Sequence, residues 1–179
     1  MKIVDFQLHR CRIPLERPIG DSQVIFTEHF MAVLELKDDD GRTGVGFELQ
    51  QGMPIPALAE LEAQYRYNGW SAVEGQSPLG MAMRISRPRG GNVGAGALGL
   101  ATETAMWDLA AQQAELPLYR LLGGTDPRVP AYGSTLDFHL DDDAFRSWMG
   151  HFSDYGMRGI KIKVGHPDVE WDLKRLALV

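Results

Sequence analysis

The stretch that decides the fold is Gly159-Ile160-Lys161-Ile162-Lys163-Val164-Gly165. Apolar and lysine side chains alternate along it, which is the pattern of a β-strand with two different faces. In an open two-layer sheet both lysines would face water, and this is the commoner arrangement for such a pair. In a parallel barrel, helices cover the outer face, so the apolar residues would face outward. The lysines would then point inward near the C-terminal end of the strand.

The residues from Val129 onward favour the parallel arrangement. Strands predicted over 129–134 and 158–164 alternate with helices predicted over 141–155 and 168–179. Strand, helix, strand, helix with short connections is the pattern of βαβ units in a parallel sheet. Two such units cannot close a barrel, which needs eight strands, and they bury little by themselves. The sequence therefore looks cut off in the middle of a fold.

The preceding residues predict a different organisation. Strands are predicted over 2–13, 30–37 and 43–49, with a loop over 14–22 and a tight turn at 38–41. These runs form a three-stranded antiparallel meander. Helical spacing then predicts helices over 56–65, 77–85, 95–113 and 117–122, with a break at 87–92. The small and apolar residues of the 95–113 helix predict that it is buried, and Gly44 and Gly46 indicate close packing of the third strand. A sheet with helices is therefore expected before the βα units.

Composition narrows the classes of partner. A net charge of −6 without a basic patch argues against nucleic acid or an anionic membrane. Cys11 is the single cysteine, so neither an internal disulfide nor a cysteine metal site is expected. The first residues lack the apolar core of a signal peptide, and no apolar run is long enough to span a bilayer. We therefore expect a cytoplasmic protein.

Two motifs resemble those of a known family. The run from Glu103 to Ala111, ETAMWDLAA, is followed by PLYRLLGG over 117–124. It is similar to the signature helix of the enolase superfamily and its P-L-x-x-L-L-G ending, although Met106 stands where Leu or Ala is usual. The K-x-K strand, followed by Asp172 and Arg175, is similar to the second barrel strand and helix. The chain therefore resembles the N-terminal part of a protein of the mandelate racemase/muconate lactonizing type.

The resemblance implies an α+β capping domain over 1–127, followed over 128–179 by the first two βα units of an incomplete (β/α)₈-type barrel. It also implies a chemistry. Family members remove the proton α to a carboxylate and stabilise the resulting enediolate on Mg²⁺. Lys163 would be the base, with Lys161 as its electrostatic partner. Two capping-domain loops, at 17–22 and 48–52, would close over the substrate. The candidate substrate-binding residues are Gly20, Asp21, Ser22, Glu48, Gln50 and Ser134.

The same resemblance implies parts that this sequence does not carry. The acidic Mg²⁺ ligands and the second acid/base are expected on barrel strands beyond Val179. The complete enzyme is expected to act on a small carboxylate and to form a homo-oligomer. We expect the 179 residues alone to be inactive, because an enediolate without a divalent cation is too high in energy.

The reaction itself stays open between several choices. Dehydration of a sugar acid is the leading expectation, followed by racemisation or epimerisation and then by cycloisomerisation. A non-enzymatic alternative is an inactive fragment that self-associates through its unpaired strand edge.

Asp172 and Arg175, spaced i, i+3 on one helix, are expected to form an ion pair rather than a functional site.

Overall fold

A computed structural model describes residues 1–84 and 98–179, which form two compact units. The first unit comprises Met1–Ile13 and His29–Pro127, and the second comprises Pro14–Glu28 and Arg128–Val179. The second unit therefore includes residues 14–28, which the sequence-based division placed in the first domain. That division at residues 127 and 128 stays a prediction. The predicted break at 87–92 lies outside the described residues, as does the start of the helix predicted over 95–113.

The predicted meander is confirmed as a three-stranded sheet of order β1-β2-β3. Its strands are β1 (Ile3–Gly20), β2 (Ile25–Asp38) and β3 (Thr43–Gln51). β2 and β3 pair antiparallel, in a register that runs from Lys37 opposite Thr43 to His29 opposite Gln51. On the inner face of the sheet, every second residue of β2 from Phe30 to Leu36 is buried, as period-two alternation requires.

The loop predicted over residues 14–22 is wrong for most of its length, because β1 continues to Gly20. Pro14 and Pro18 suggested a break, since proline donates no ladder hydrogen bond. β1 lies at the edge of the sheet, however, and an edge strand tolerates proline wherever its N–H would face away from its partner. The turn itself occupies only residues 21–24, before β2 begins.

Helices follow the sheet in the first unit. They are α1 (Leu58–Tyr65), a π-helical segment (Arg66–Trp70), α2 (Ser71–Val73), α3 (Pro78–Arg84), α4 (Gly99–Gln113) and α5 (Leu118–Leu121). None of the helices in the described part of the chain is long and apolar enough to cross a membrane.

The signature helix α4 is buried against β3, as its small and apolar residues predicted. Ala101, Ala105 and Leu109 have no exposed surface. A Cβ on Gly44 or Gly46 would lie 2.2 Å or 1.9 Å from a backbone carbonyl oxygen of α4. Only glycine permits this approach, so the close packing expected at these two residues is confirmed.

The second unit contains two strands, each followed by a helix. β4 (Gly133–Ser134) and β5 (Ile160–Lys161) pair in parallel, with Ser134 opposite Lys161. α6 (Asp142–Asp154) follows β4, and α7 (Val169–Leu176) follows β5. The predicted order of elements is therefore observed.

Both strands of the second unit are shorter than the alternation predicted. Only residues 133–134 and 160–161 form the ladder, against predictions of 129–134 and 158–164. An extended segment becomes a strand only where a neighbour completes its hydrogen bonds, and sequence alternation cannot show the extent of that neighbour. The last helix also ends at Leu176 rather than Val179, where the Ala177 amide donates to carbonyls of the final turn.

Candidate active site

The C-terminal ends of β4 and β5 bring several predicted site residues into one unit. Ser134 ends β4 with an exposed side chain, and Lys161 ends β5 with an exposed side chain. Lys163 follows two residues later and is half-buried. The two lysines therefore have different surroundings, and their roles as base and partner stay predictions.

The turn between β1 and β2 lies in the same unit. The Asp21 carboxylate accepts hydrogen bonds from the amides of Gln23 (2.9 Å) and Val24 (3.1 Å), closing the turn. The Gln23 amide, with that of Val24 and the positive charges of Lys163 and His139, holds the pKa of Asp21 below its ordinary value. The Asp21 carboxylate is therefore negatively charged, and it interacts electrostatically with Lys163.

Gly20 and Ser22 fit tightly beside Asp21. A Cβ on Gly20 would lie 2.0 Å from the carbonyl oxygen of Val24, so the turn requires glycine there. A Cβ on Gly165 would lie 2.9 Å from the Ser22 hydroxyl oxygen, which places the turn against the segment that follows Lys163. Gly20 also pairs in parallel with Asp137, which follows β4.

Glu48 and Gln50 lie on β3 in the first unit. The Glu48 carboxylate accepts hydrogen bonds from the amides of Leu100 (2.9 Å) and Ala101 (3.4 Å), so it caps the N-terminus of α4. Gln50 is exposed and lies opposite Phe30 in the sheet. Substrate binding by these two residues stays a prediction.

Asp137 is a residue of this region that the sequence analysis missed. Its surface is 1% exposed, and its Oδ1 has no hydrogen-bond partner among the described residues. Burial raises the pKa of Asp137 above its ordinary value, although the nearby amides of Asp137 and Lys163 and the charges of Arg175 and Lys163 offset part of the effect. One signal was available: an acidic residue three positions after a barrel-type strand lies at the end where such folds keep their chemistry.

The predicted ion pair between Asp172 and Arg175 is wrong, because the two side chains bind different backbone groups. Asp172 accepts hydrogen bonds from the amides of Gly165 (2.8 Å) and His166 (3.2 Å). Arg175 is buried, and its guanidinium donates to a set of loop carbonyls, those of Asp137, Phe138, Leu140 and Asp141. One helix, α7, therefore anchors the loops that follow both strands.

Aromatic rings complete the packing around Arg175. Its guanidinium carbon lies 4.2 Å from the ring centre of Phe145 and 4.6 Å from that of Trp171. His166 stacks on Trp171, with ring centres 4.8 Å apart. Aromatic faces attract positive charge, so these two rings stabilise the buried guanidinium of Arg175.

The described residues do not supply a complete metal site. Across 1–84 and 98–179, no group of three or more His, Cys, Asp or Glu residues could hold a metal ion. The residues present therefore do not fit a Mg²⁺ site of their own. What they can do is donate and accept hydrogen bonds, pair charges and move a proton.

The comparisons with known proteins agree on one group of enzymes, although no family model matches the chain. The chain is 29% identical to the 3,6-anhydro-alpha-L-galactonate cycloisomerase of Streptomyces coelicolor, over 93% of this chain and 47% of that protein. It is 28% identical to the L-talarate/galactarate dehydratase of Salmonella typhimurium, over 93% of this chain and 44% of that protein. The chain thus spans about half the length of these relatives.

Solved structures show the same relationship. A candidate mandelate racemase from Mesorhizobium loti matches with a TM-score of 0.90 and 40% identity, over 99% of this chain and 47% of that one. A racemase from Streptomyces coelicolor with bound magnesium matches with a TM-score of 0.81 and 26% identity, over 98% of this chain and 50% of that one. Together with the signature helix and the K-x-K motif, these likenesses show that the chain is similar to the N-terminal half of enolase-superfamily proteins of the mandelate racemase/muconate lactonizing type.

Proposed function

We propose that the chain is the N-terminal part of a Mg²⁺-dependent enzyme that removes the proton α to the carboxylate of a small acid. Sugar-acid dehydration is the leading reaction. In this proposal, residues 1–127 form the capping domain, and residues 128–179 begin a (β/α)₈-type barrel. Partners other than the small acid are further copies of the same protein.

The observation that carries the proposal is the setting of Lys163. It follows a parallel strand at its C-terminal end, is half-buried, and lies within the electrostatic reach of Asp21. In barrel enzymes this end of the strands holds the chemistry. Lys163 is the base in this proposal, and the exposed Lys161 beside it contacts the substrate carboxylate as its electrostatic partner.

The substrate-binding residues in this proposal present mostly polar groups. Asp21, Ser22 and Ser134 offer a carboxylate and two hydroxyls, which suit the hydroxyl groups of a sugar acid. Gly20 lets the turn close, while Glu48 and Gln50 lie at the end of β3, because the loop predicted over 48–52 is strand as far as Gln51. The relative from Salmonella typhimurium is a dehydratase of L-talarate and galactarate, which supports this substrate class.

Mg²⁺ is the implied cofactor, and magnesium is bound in the racemase structure from Streptomyces coelicolor. When bound, the cation stabilises the negative charge that develops on the substrate carboxylate. In this proposal its ligands come from residues beyond Val179, on later barrel strands.

Alternatives within the superfamily have their own support. Racemisation or epimerisation is favoured by likeness to the racemase structure, and cycloisomerisation by likeness to the Streptomyces coelicolor relative. A fragment that only self-associates is the non-enzymatic alternative, because the short ladder of β4 and β5 leaves strand edges open.

The test starts with the intact mass of the purified protein. A mass near 19.9 kDa identifies the 179-residue chain as the species, which we expect to be inactive. A mass of about twice that, which a capping domain with a full barrel needs, would show that the sequence is part of a longer protein. That protein is then assayed with Mg²⁺ in deuterium oxide, with galactarate or L-talarate as the substrate. NMR measures both dehydration and exchange of the α-proton.

Lys163→Ala is the decisive variant in that assay. We expect it to lower α-proton exchange by about 10²–10⁴-fold, the usual contribution of a general base. Lys174→Ala, at an exposed lysine on α7, is the matched control and should leave the rate unchanged. Full exchange by Lys163→Ala would show that another group is the base.

A further inference from the structure

The turn between β1 and β2 is held at two points inside the second unit. Gly20, just before the turn, pairs in parallel with Asp137 in the loop after β4. Ser22, inside the turn, lies against Gly165 in the loop after β5, because a Cβ on Gly165 would be 2.9 Å from the Ser22 hydroxyl oxygen. Loop tips are ordinarily among the most mobile parts of a domain, and these two contacts oppose that mobility.

Asp172 on α7 holds the loop at the Ser22 contact. Its carboxylate accepts a hydrogen bond from the Gly165 amide at 2.8 Å and another from the His166 amide at 3.2 Å. Gly165 has a φ of +113°, a conformation that favours glycine. Hydrogen bonds from amides to a carboxylate are stronger than those between neutral groups. Asp172 therefore fixes the backbone that Ser22 contacts.

Arg175, one helical turn further along α7, does the same for the loop after β4. Its guanidinium donates to the carbonyls of Asp137 (3.4 Å) and Phe138 (3.3 Å). Residues spaced i, i+3 are neighbours on one face of a helix, so one face of α7 holds both loops. The spacing of Asp172 and Arg175 thus has a physical reason other than an ion pair.

We propose that Asp172 is a positioning residue for the turn at 21–24, which carries the candidate substrate-binding residues Asp21 and Ser22. It acts through the Gly165 backbone, against which Ser22 lies. The inference rests on the substrate-binding role proposed for this turn. Its consequence is that the turn stays fixed at the C-terminal ends of β4 and β5 whether or not substrate is bound, so its polar groups are preorganised.

The first test measures the mobility of the turn in the purified protein without substrate. Backbone ¹⁵N relaxation gives an order parameter of about 0.85 for a rigid amide and below about 0.6 for a flexible one. We expect rigid values for the Gln23 and Val24 amides in the unaltered protein, and flexible values in Asp172→Ala. Amides in α6 should stay rigid in both. Order parameters describe the folded state, so a loss of global stability does not change them.

A conservative variant and a matched control show whether the acceptor oxygen is what matters. Asp172→Asn keeps an oxygen of the same reach, so we expect it to keep the turn rigid. Glu170→Ala removes an exposed carboxyl from the same first turn of α7. It weakens the interaction with the helix dipole in the same way as Asp172→Ala, but it should leave the turn rigid.

The second test observes the contact itself. We expect a nuclear Overhauser effect between the β-protons of Ser22 and the α-protons of Gly165, since a Cβ on Gly165 would lie 3.5 Å from the Ser22 Cβ. The signal should be lost in Asp172→Ala and kept in Asp172→Asn and Glu170→Ala.

Each outcome supports or overturns the positioning role. A turn that is mobile only in Asp172→Ala, with loss of the Ser22 contact, supports it. A flexible turn in the unaltered protein would overturn it, as would a rigid turn in Asp172→Ala or a flexible one in Asp172→Asn. If Asp172→Ala does not fold, the unaltered protein and Asp172→Asn decide the matter. All readouts are taken without substrate, so a failure of Lys163→Ala to lower activity would refute the proposed function and leave them untouched.

Discussion

Asp38 in the first unit and Asp137 in the second are both buried carboxyls, with 3% and 1% of their surfaces exposed. Burial would raise the pKa of Asp38, but the Arg42 amide, the Gln113 amide group, the Asp40 amide and the Arg42 guanidinium hold it below its ordinary value. Asp137 has fewer donors, so burial prevails and raises its pKa. The donors and the desolvation together decide which form of a buried carboxyl is stable.

The two carboxyls differ in how completely their oxygens are paired. Asp38 closes the turn between β2 and β3 and has donors for both oxygens. Asp137 keeps one oxygen unpaired among the described residues, and the charges of Arg175 and Lys163 act on its carboxyl. Two aspartates of similar exposure can therefore differ in hydrogen-bond satisfaction, and a buried unpaired oxygen is the exception.

The largest effect is expected from Arg175→Met, which removes the anchor of the Asp137 loop. Four carbonyls lose their donor, and the cation–π contacts with Phe145 and Trp171 are lost. We expect the free energy of unfolding of the second unit to fall by about 3 kcal/mol. Hydrogen exchange measured separately in the two units provides the check.

Lys174→Met is the matched control for Arg175→Met. Lys174 lies next to it on α7 and forms an exposed ion pair with Asp142 at 2.6 Å. Such a pair contributes less than about 1 kcal/mol. If both variants destabilise the second unit equally, the anchoring role of Arg175 is wrong.

A smaller effect is expected from Asp38→Ala. The amides of Asp40 and Arg42 and the side chain of Gln113 lose their acceptor in a turn that is part of the first unit. We expect this unit to lose about 2 kcal/mol, read from chemical denaturation followed by hydrogen exchange. Asp40→Ala, at a half-exposed carboxyl, is the control and should cost less than about 1 kcal/mol. Faster exchange near Lys163 in Asp38→Ala would contradict an effect confined to the first unit.

The smallest effect, and the sharpest contrast, is in the pH dependence of stability. The folded pKa of Asp38 lies below 3.8, so its contribution is present above 3.8 and is lost as the pH falls through the folded pKa. The folded pKa of Asp137 lies above 3.8, so its contribution is lost as the pH rises from 3.8 through the folded pKa.

Charge-removing variants make this contrast measurable. The stability difference between the unaltered chain and Asp38→Asn should increase with pH, whereas the difference for Asp137→Asn should decrease. Hydrogen exchange in each unit across a pH series reads both slopes. Slopes of the same sign would show that the surroundings of the two carboxyls are equivalent.

Local sequence patterns predicted much of the fold. The meander, the order of the helices and strands, and the buried α4 followed from alternation, turn residues and small-residue spacing. Gly44 and Gly46 indicated the close approach of α4, since a glycine in a strand has few other uses. The strand over 14–20 was missed because prolines are tolerated at a sheet edge, and no local pattern says which strand is the edge.

The candidate site was predictable only in part. The K-x-K alternation and its resemblance pointed to Lys161 and Lys163. The roles of Asp137, Asp172 and Arg175 could not be predicted, because each depends on backbone groups far along the chain. Arg175, for example, donates to carbonyls 34 to 38 residues away. A spacing of three on a helix suggested an ion pair, and that pattern contains no information about the competing carbonyls and amides.

The sequence by itself determined the family resemblance, the order of elements and the lysine pair, because these rest on motifs and short-range periodicity. Only the tertiary structure decided that β1 extends to Gly20, that Glu48 caps α4, and that Asp137 is buried. The physical reason is the same in each case. Burial and hydrogen-bond satisfaction are set by partners distant in sequence, and these partners decide how a carboxyl is paired and which of its forms is stable.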